Sequence, residues 1–281
     1  MKYALLLLST LIILFSCSSE ESKIDSVQSQ VHYNLGIELA QYKLFQNSLE
    51  EFELAIKYDP GNVKAYRKKG LIYFGLKQYG EAEKLFKKTI ALDPENVQAH
   101  INLGMVKYST GNKAEAKRLW ENAVDIKTND NDSKAFNNIA NLYKEENDYD
   151  KAIEYYELAR NADPKNTIYI DNLADIFRLK GESKKTIEIL KDSLKLNAPG
   201  MATYFNLGMA YKELKDYEKS VEAFKQSLKI NPALSNAYYQ IAQINLEQKN
   251  LNAARDAIEL AINSSPNNLI YKKLRSKILD S

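Results

Sequence analysis

Very few side chains in this sequence could serve as nucleophiles, general bases or soft metal ligands. The 281 residues include a single cysteine, Cys17, and two histidines, His32 and His100. One cysteine can form neither an intrachain disulfide nor a two-cysteine metal site. The histidines are 68 residues apart in the chain, and no glycine-rich phosphate-binding loop accompanies them. We therefore expect no catalytic site, no cofactor and no bound metal.

Cys17 directly follows an apolar segment at the start of the chain. Lys2 precedes the run ALLLLSTLIILF (4–15), which is shorter than the roughly 20 residues of a membrane-spanning helix and is typical of a signal peptide. A thiol in this place can react as a nucleophile, because its thiolate can accept a lipid group. The alternative is an ordinary secretory signal in which Cys17 has no role.

The sequence around Cys17 resembles the lipobox of bacterial lipoproteins. Leu14, Ser16 and Cys17 stand where the lipobox has them, while Phe15 is bulkier than the small residue usual at its place. The resemblance implies that residues 1–16 are a signal peptide removed before Cys17, and that Cys17 carries diacylglycerol and an acylated amino terminus. Two or three acyl chains make release from a membrane slow. The expected location is the bacterial cell envelope, lipid-anchored to a membrane and facing the periplasm or the cell surface.

Composition and charge narrow the function classes further. The 39 basic and 37 acidic side chains leave a net charge of +2, whereas nucleic-acid-binding proteins usually carry a basic face or tail. Only 6 prolines and 10 glycines occur, which favours a mostly helical chain. The polar segment 17–28 lacks apolar periodicity and predicts a flexible tether between the lipid and the folded domain.

An internal repeat organises the rest of the chain. Prolines that end helical segments recur at intervals that are multiples of 34, apart from two extra residues in one interval, at Pro60, Pro94, Pro164, Pro232 and Pro266. A shift by the same interval aligns similar segments, among them YNLGIELAQY (33–42), INLGMVKYST (101–110) and FNLGMAYKEL (205–214).

This pattern resembles the tetratricopeptide repeat family, which has an aromatic residue at position 4, Gly or Ala at 8, Tyr at 11, Ala at 20, an aromatic residue at 24, Ala at 27 and Pro at 32. The resemblance implies an all-α fold, a right-handed α-solenoid of antiparallel helix pairs, because no unit can bury its apolar face alone. Seven units are expected, at 29–62, 63–96, 97–132, 133–166, 167–200, 201–234 and 235–268. The final segment, 269–281, predicts a capping helix that buries Tyr271, Leu274 and Ile278.

Some residues depart from the family pattern. The third unit ends in KTNDNDS without a proline, and the fifth has Pro199 one residue late. We expect irregular structure at these two junctions. His32 and His100 fall at position 4, where a packing aromatic residue is usual, so we expect partly buried imidazoles rather than catalytic ones.

Members of this family line a concave surface with the first helix of each unit, chiefly at positions 2, 5, 9, 12 and 13. Among these, positions 5 and 9 supply the candidate partner-binding residues. The two positions are four apart, so both side chains project from one helix face. The candidates are Tyr33, Ile37, Arg67, Leu71, Ile101, Met105, Asn137, Asn141, Asp171, Asp175, Phe205, Met209, Tyr239 and Gln243. A partner's peptide or helix would bury the apolar members. The alternative is that several of them pack against neighbouring helices.

The sequence therefore predicts a membrane-anchored scaffold that binds peptide or helix segments of other envelope proteins. Its layout is similar to tetratricopeptide lipoproteins that help assemble secretion or pilus machinery or dock cell-wall hydrolases. No nucleic acid and no small-molecule substrate is expected. The alternative function is a glycan- or peptidoglycan-binding envelope component, for which Tyr33 and Tyr239 are the candidate residues, or an adaptor of a cell-wall hydrolase.

Overall fold

The computed structural model describes residues 23–126, 132–196 and 199–281. In these ranges the regular structure is α-helical and no strand occurs. The predicted signal peptide, Cys17 and its lipid lie outside the described residues.

The chain forms two compact units, residues 1–130 and 131–281. In its described part the first unit contains α1 (23–41), α2 (Phe45–Tyr58), α3 (Val63–Gly75), α4 (Tyr79–Leu92), α5 (Val97–Ser109) and α6 (Lys113–Asp125). The second contains α7 (Asp132–Glu145), α8 (Tyr149–Ala162), α9 (Thr167–Leu179), α10 (Ser183–Leu194), α11 (Met201–Glu213), α12 (Tyr217–Ile230), α13 (Ser235–Glu247), α14 (Leu251–Ser264) and α15 (Leu269–Leu279). Within each unit, consecutive helices pack in pairs and each pair packs on the next. This arrangement is the predicted all-α solenoid of helix pairs.

Many helices begin at a polar side chain that caps them. The side-chain oxygen of Asn62 accepts a hydrogen bond from the Ala65 amide at 2.9 Å, and Asn96 does the same for Ala99 at 3.0 Å. Asp216 caps α12 in the second unit. Each cap satisfies an amide that has no partner within its own helix.

The first helix of every pair ends at a residue in the left-handed backbone conformation. These residues all stand at position 15 of their units and are Lys43, Lys77, Gly111, Asn147, Gly181, Lys215 and Lys249. After α3, the Gln78 amide donates to the Tyr73 carbonyl at 2.8 Å and the Lys77 amide donates to the Phe74 carbonyl at 2.9 Å. This Schellman arrangement satisfies the last carbonyls of α3 and turns the chain toward α4.

The core of each pair is a small residue on the first helix facing a large one on the second. A Cβ atom on Gly70 would lie 2.7 Å from Cε1 of the fully buried Phe86 ring, and one on Gly208 would lie 2.6 Å from Cε1 of Phe224. The helices therefore approach until the ring lies on the glycine backbone, as predicted. The position-24 residues are at most 3% exposed in all seven units: Phe52, Phe86, Trp120, Tyr156, Leu190, Phe224 and Ile258.

Three units replace the expected alanine at position 20 by a hydroxyl residue that joins the two helices. The Ser48 hydroxyl donates to the Gly36 carbonyl at 2.6 Å, and the Ser220 hydroxyl donates to the Gly208 carbonyl at 2.7 Å. Thr186 makes the equivalent bond in the fifth unit. These hydroxyls are fully buried, so the bonds keep their polar atoms satisfied.

The prediction of a flexible tether is wrong from residue 23 onward, because α1 covers 23–41 without interruption. Residues 23–28 contain no proline or glycine, so nothing in them stops a helix. The next residue fixes the helix to the unit. The Ser29 hydroxyl donates to the Ala55 carbonyl at 2.8 Å and accepts from the Asn62 amide group at 2.9 Å.

The two junctions expected to be irregular fall partly outside the described residues, at 127–131 and 197–198. The helices before them, α6 and α10, have 13 and 12 residues, whereas the other second helices of pairs have 14. After the second junction, α11 starts from the extended residue Gly200 without a side-chain cap. At the end of the chain, α15 packs on α14 and buries the three residues predicted for a capping helix.

Candidate partner-binding surface

In the first unit, the residues predicted at positions 5 and 9 lie on α1, α3 and α5. Five of the six are half-buried, namely Tyr33, Ile37, Arg67, Leu71 and Met105. The Tyr33 ring lies 5.9 Å from the Phe52 ring, and Ile37 packs on the same cluster. Leu71 packs beside Phe86. Each of these side chains is therefore partly packed in the core and partly exposed to solvent.

Ile101 is the sixth residue of this set, and it is a core residue rather than a surface residue. It is 1% exposed, because α5 packs against α3, α4 and α6. The Ile101 carbonyl also accepts a hydrogen bond from Nε1 of Trp120 at 3.1 Å. The predicted partner contact at Ile101 is therefore wrong for this conformation.

An open apolar pocket lies between α1, α2 and α3, with a volume of about 430 Å³. Its apolar lining includes the predicted residues Ile37 and Leu71, together with Phe45, Ile72 and Leu76. Two longer polar side chains, Gln41 and Lys68, also line it. Phe45 and Leu76 remain 38% and 42% exposed. The pocket can therefore take up a large apolar side chain from another molecule.

In the second unit, the predicted residues lie on α7, α9, α11 and α13. All but one are half-buried, namely Asn137, Asn141, Asp175, Phe205, Met209, Tyr239 and Gln243. The Phe205 ring lies 5.4 Å from the Phe224 ring, and Met209 packs on the same cluster. The Tyr239 ring lies 5.1 Å from the Tyr271 ring. The apolar members therefore pack on the core with part of each side chain.

Asp175 is the centre of a charged network on the second unit. Its carboxylate accepts hydrogen bonds from Lys144 Nζ at 2.6 Å and from Arg178 Nη2 at 2.7 Å. Burial alone would raise the pKa of Asp175, but the bonds from Lys144 and Arg178 hold it below its ordinary value. Arg178 also pairs with Glu213 at 3.5 Å, and the Ser183 hydroxyl donates to Glu213 at 2.5 Å. The network thus presents positive and negative groups that are already paired.

Asp171 is the remaining predicted residue, and it is enclosed. It is 4% exposed, and the Thr203 hydroxyl lies 2.8 and 2.9 Å from its two carboxyl oxygens. The Ser193 hydroxyl lies 3.0 Å from that of Thr203. Burial raises the pKa of Asp171 to about 6, against the effect of these hydroxyls. Asp171 therefore joins α9, α10 and α11, and its predicted partner contact is wrong for this conformation.

A second polar group surrounds Lys212 on α11. Its Nζ donates to the side-chain oxygens of Gln240 at 2.7 Å and Gln243 at 2.6 Å. The Gln243 amide in turn donates to the Tyr239 hydroxyl at 2.8 Å. Burial lowers the pKa of Lys212. The predicted residues Tyr239 and Gln243 are thus held in place by a lysine that stands at neither position 5 nor position 9 of its unit.

The residues predicted from the sequence do not include Lys144, Arg178 and Lys212. Their shared position in the repeat could have identified them. All three stand at position 12 of their units, and each bonds to a residue of the following unit. Amide side chains make further links of this kind. Asn172 donates to the Asn137 side chain at 2.8 Å, and Asn206 donates to the Asp171 carbonyl at 3.3 Å. The polar face of the second unit is therefore preorganised by bonds between successive units.

The two histidines are partly buried, as predicted. Nδ1 of His32 lies 2.6 Å from a Glu51 carboxylate oxygen, and its ring stacks on Tyr58 at 5.4 Å. Nε2 of His100 lies 2.9 Å from the Pro94 carbonyl. Both imidazoles have local structural partners in the first unit.

The described part of the chain contains neither a cluster of metal ligands nor a membrane-spanning helix. No group of three or more His, Cys, Asp or Glu side chains there could hold a metal ion. None of the helices within 23–126, 132–196 and 199–281 has the length and apolar character needed to cross a membrane.

Comparison with solved structures shows the same fold. One chain of the APC/C hetero-tetramer Cut9–Hcn1 matches with a TM-score of 0.70 and 19% identity, over 92% of this chain and 48% of that chain. PilW, a widely conserved type IV pilus biogenesis factor, matches with a TM-score of 0.64 and 20% identity, over 74% of this chain and 96% of that chain. YrrB, a TPR protein with an unusual peptide-binding site, matches with a TM-score of 0.50 and 17% identity, over 67% of this chain and 96% of that chain.

Sequence comparison gives the family. No curated protein matches the chain. Family models described as tetratricopeptide repeat match residues 63–96 and 202–234, 96–165, and 235–268. Together these matches cover more than half of the chain, and their boundaries agree with the repeat units that the structure shows as helix pairs. The chain belongs to the tetratricopeptide repeat family.

Proposed function

We propose that this chain is a lipid-anchored scaffold of the bacterial cell envelope that holds a partner protein by a peptide or helix segment. The pocket between α1, α2 and α3 carries the proposal, because it is apolar, open to solvent and about 430 Å³ in volume. A buried aromatic or aliphatic anchor in such a pocket supplies much of the affinity of a protein interface. The partner segment would present a large apolar side chain at its centre.

The polar face of the second unit supports the same function. Asp175, Arg178 and Glu213 are half-buried or exposed charged groups that hold one another in fixed geometry. Fixed, complementary charges favour specificity and encounter rate more than affinity. We therefore expect this face to select among partners, and the pocket of the first unit to provide binding energy.

The proposed setting is the assembly of a secretion, pilus or cell-wall complex. The fold is similar to that of PilW, which is a pilus biogenesis factor, and of YrrB, which has a peptide-binding site. The lipobox-like sequence before Cys17 is the feature of this chain that favours an envelope location over others. The partners we expect are envelope proteins, and not nucleic acids or small-molecule substrates.

Filling the pocket tests the proposal. Gly75 lines the pocket and a Cβ atom there would meet nothing within 4 Å, so Gly75→Leu should occupy the pocket without disturbing the fold. Gly80 has the same free space but is not among the pocket's lining residues, which makes Gly80→Leu the matched control. With a photo-crosslinking residue at Gln41 in intact cells, the Gly75 variant should lose the protein adducts that the control keeps.

Mass spectrometry of the adducts would identify the partner, and circular dichroism would verify that both variants are folded. Adducts that persist unchanged in the folded Gly75→Leu variant would refute the pocket as the partner site.

A further inference from the structure

The outward face of α1 is an apolar stripe that no other part of the described chain covers. Five large side chains form it, with exposed fractions of 60%, 61%, 53%, 40% and 70% for Ile24, Val27, Val31, Leu35 and Tyr42. At 100° per residue, these five positions fall within an arc of about 80° that also contains the exposed Glu38, and Tyr42 directly follows the last residue of α1. The stripe is about 27 Å long at 1.5 Å per residue.

The opposite face of α1 explains why this stripe is not part of the core. Small residues there pack toward α2, where the Ser48 hydroxyl reaches the Gly36 carbonyl and Ser29 reaches the Ala55 carbonyl. Tyr33 and Ile37 complete that buried face. α1 therefore has two apolar faces, and one of them is buried against its own unit.

A terminal helix of a repeat array normally presents a polar outer face, because a bare apolar end would aggregate. The other terminal helix, α15, exposes only polar residues along its middle, at 272–273 and 275–277, and its exposed apolar residues Leu269, Ile270 and Leu279 stand at its two ends. On α1 the exposed apolar residues instead run along one face from Ile24 to Leu35, so this stripe requires an occupant.

We propose that the occupant is the lipid surface to which Cys17 is anchored, so that α1 lies along the membrane with its apolar stripe in the headgroup and acyl boundary. This inference rests on the proposed acylation of Cys17. Only six residue steps separate Cys17 from Lys23 in the sequence, which limits that distance to about 20 Å even in a fully extended chain. The anchor therefore brings the start of the stripe to the membrane.

The charges of α1 agree with a neutral lipid surface rather than an anionic one. From residue 23 to 43, Lys23 and Lys43 are balanced by Asp25 and Glu38. Interfacial helices bind through buried apolar area and through attraction to anionic lipids, and here only the apolar area is available. The association should therefore be insensitive to salt and to lipid charge.

A fluorescent probe on the stripe tests this geometry. The acylated full-length protein would be reconstituted into phosphatidylcholine vesicles that contain brominated phosphatidylcholine, with a tryptophan introduced as Val31→Trp. The control is Gln30→Trp, one residue away and turned by about 100°. Val31 and Gln30 are exposed, so an introduced tryptophan ring fits at either position. The native Trp120 is 3% exposed and is present in both variants.

We expect the Val31→Trp protein to show a blue-shifted emission and several-fold stronger quenching by the brominated lipid than the Gln30→Trp protein, at low and high salt alike. Equal quenching of the two variants in acylated, vesicle-bound protein would overturn the proposed contact between the stripe and the lipid, but not the acylation of Cys17. A blue shift without quenching, in protein that cross-links as a dimer, would overturn it in favour of a second copy on the stripe. A mass spectrum without diacylglycerol on Cys17 would refute the anchor and, with it, this proposal.

Discussion

Asp171 is a carboxylic acid enclosed between α9, α10 and α11, with the Thr203 hydroxyl against its two oxygens. At the residue scale, it illustrates how a repeat position that usually faces the solvent can become part of the core. Its burial depends on two other helices, because Ser193 lies on α10 of the same unit and Thr203 lies on α11 of the following unit. The consequence is a pH-dependent contribution to stability.

Replacing Asp171 by asparagine should remove that pH dependence. A carboxyl group whose pKa rises from 3.8 to about 6 on folding binds its proton more tightly in the folded state. Its contribution to stability is therefore full below pH 3.8 and is lost as the pH rises through about 6. Relative to Asp171→Asn, the wild-type protein should lose on the order of 3 kcal/mol of unfolding free energy over this window, measured by urea denaturation.

Asp175→Asn is the control with the opposite sign. Because Lys144 and Arg178 lower the pKa of Asp175, its charged form stabilises the fold at neutral pH and loses that contribution as the pH falls. Parallel pH profiles for the two variants would contradict the assignment of Asp171 as the buried, proton-binding carboxyl group.

At the element scale, the notable feature is the turn between the two helices of each pair. Four of the seven left-handed positions are occupied by lysine, and only two by glycine. A residue with a Cβ atom is strained in this conformation, by roughly 1 kcal/mol. The repeat keeps its turn geometry whatever residue stands there, because two backbone hydrogen bonds and the packing of both helices impose it.

Lys77→Gly should therefore stabilise the first unit. We expect a gain of about 0.5 to 1 kcal/mol, since relief of the strain exceeds the added flexibility of glycine in the unfolded chain. Gly111→Lys at the equivalent turn should cost a similar amount, because the new side chain must adopt φ near +87°. Urea midpoints with unchanged slopes would measure both changes. A loss of stability in Lys77→Gly would show that the lysine side chain contributes more than its backbone strain costs.

The helix pairs could be predicted from the sequence because their determinants are local and periodic. Gly70 facing Phe86 and Gly208 facing Phe224 are such determinants, repeated at fixed spacing. The partner surface was less accessible to the same reasoning. Whether Ile101 or Asp171 is exposed depends on side chains supplied by other helices, and position alone does not contain that information. The same is true of α1, whose extension through 23–28 depends on contacts of Ser29 with α2 and with Asn62.

At the scale of the whole molecule, the location that we propose for the chain depends on one residue, Cys17, which lies outside the described structure. Cys17→Ala should abolish acylation and shift the protein from the membrane fraction to the soluble fraction, because the lipid is the proposed anchor. The helix content should not change, since the helices described here lie within residues 23–281. Mass spectrometry, cell fractionation and circular dichroism would measure these outcomes.

Membrane retention of an unacylated Cys17→Ala protein would contradict the anchor. A Ser18→Ala variant is the control, because it changes the neighbouring residue and leaves the thiol in place. It should be acylated and retained like the wild type.

The asparagine caps have a consequence for how such a gene can change its length. Asn62 precedes Val63 at the start of α3, and Asn96 precedes Val97 at the start of α5. Deleting residues 63–96 would join Asn62 directly to Val97 and recreate the same dipeptide at the same kind of helix start. Recombination can thus remove or duplicate one repeat unit, and the new junction has the same Asn-Val sequence as the existing helix starts.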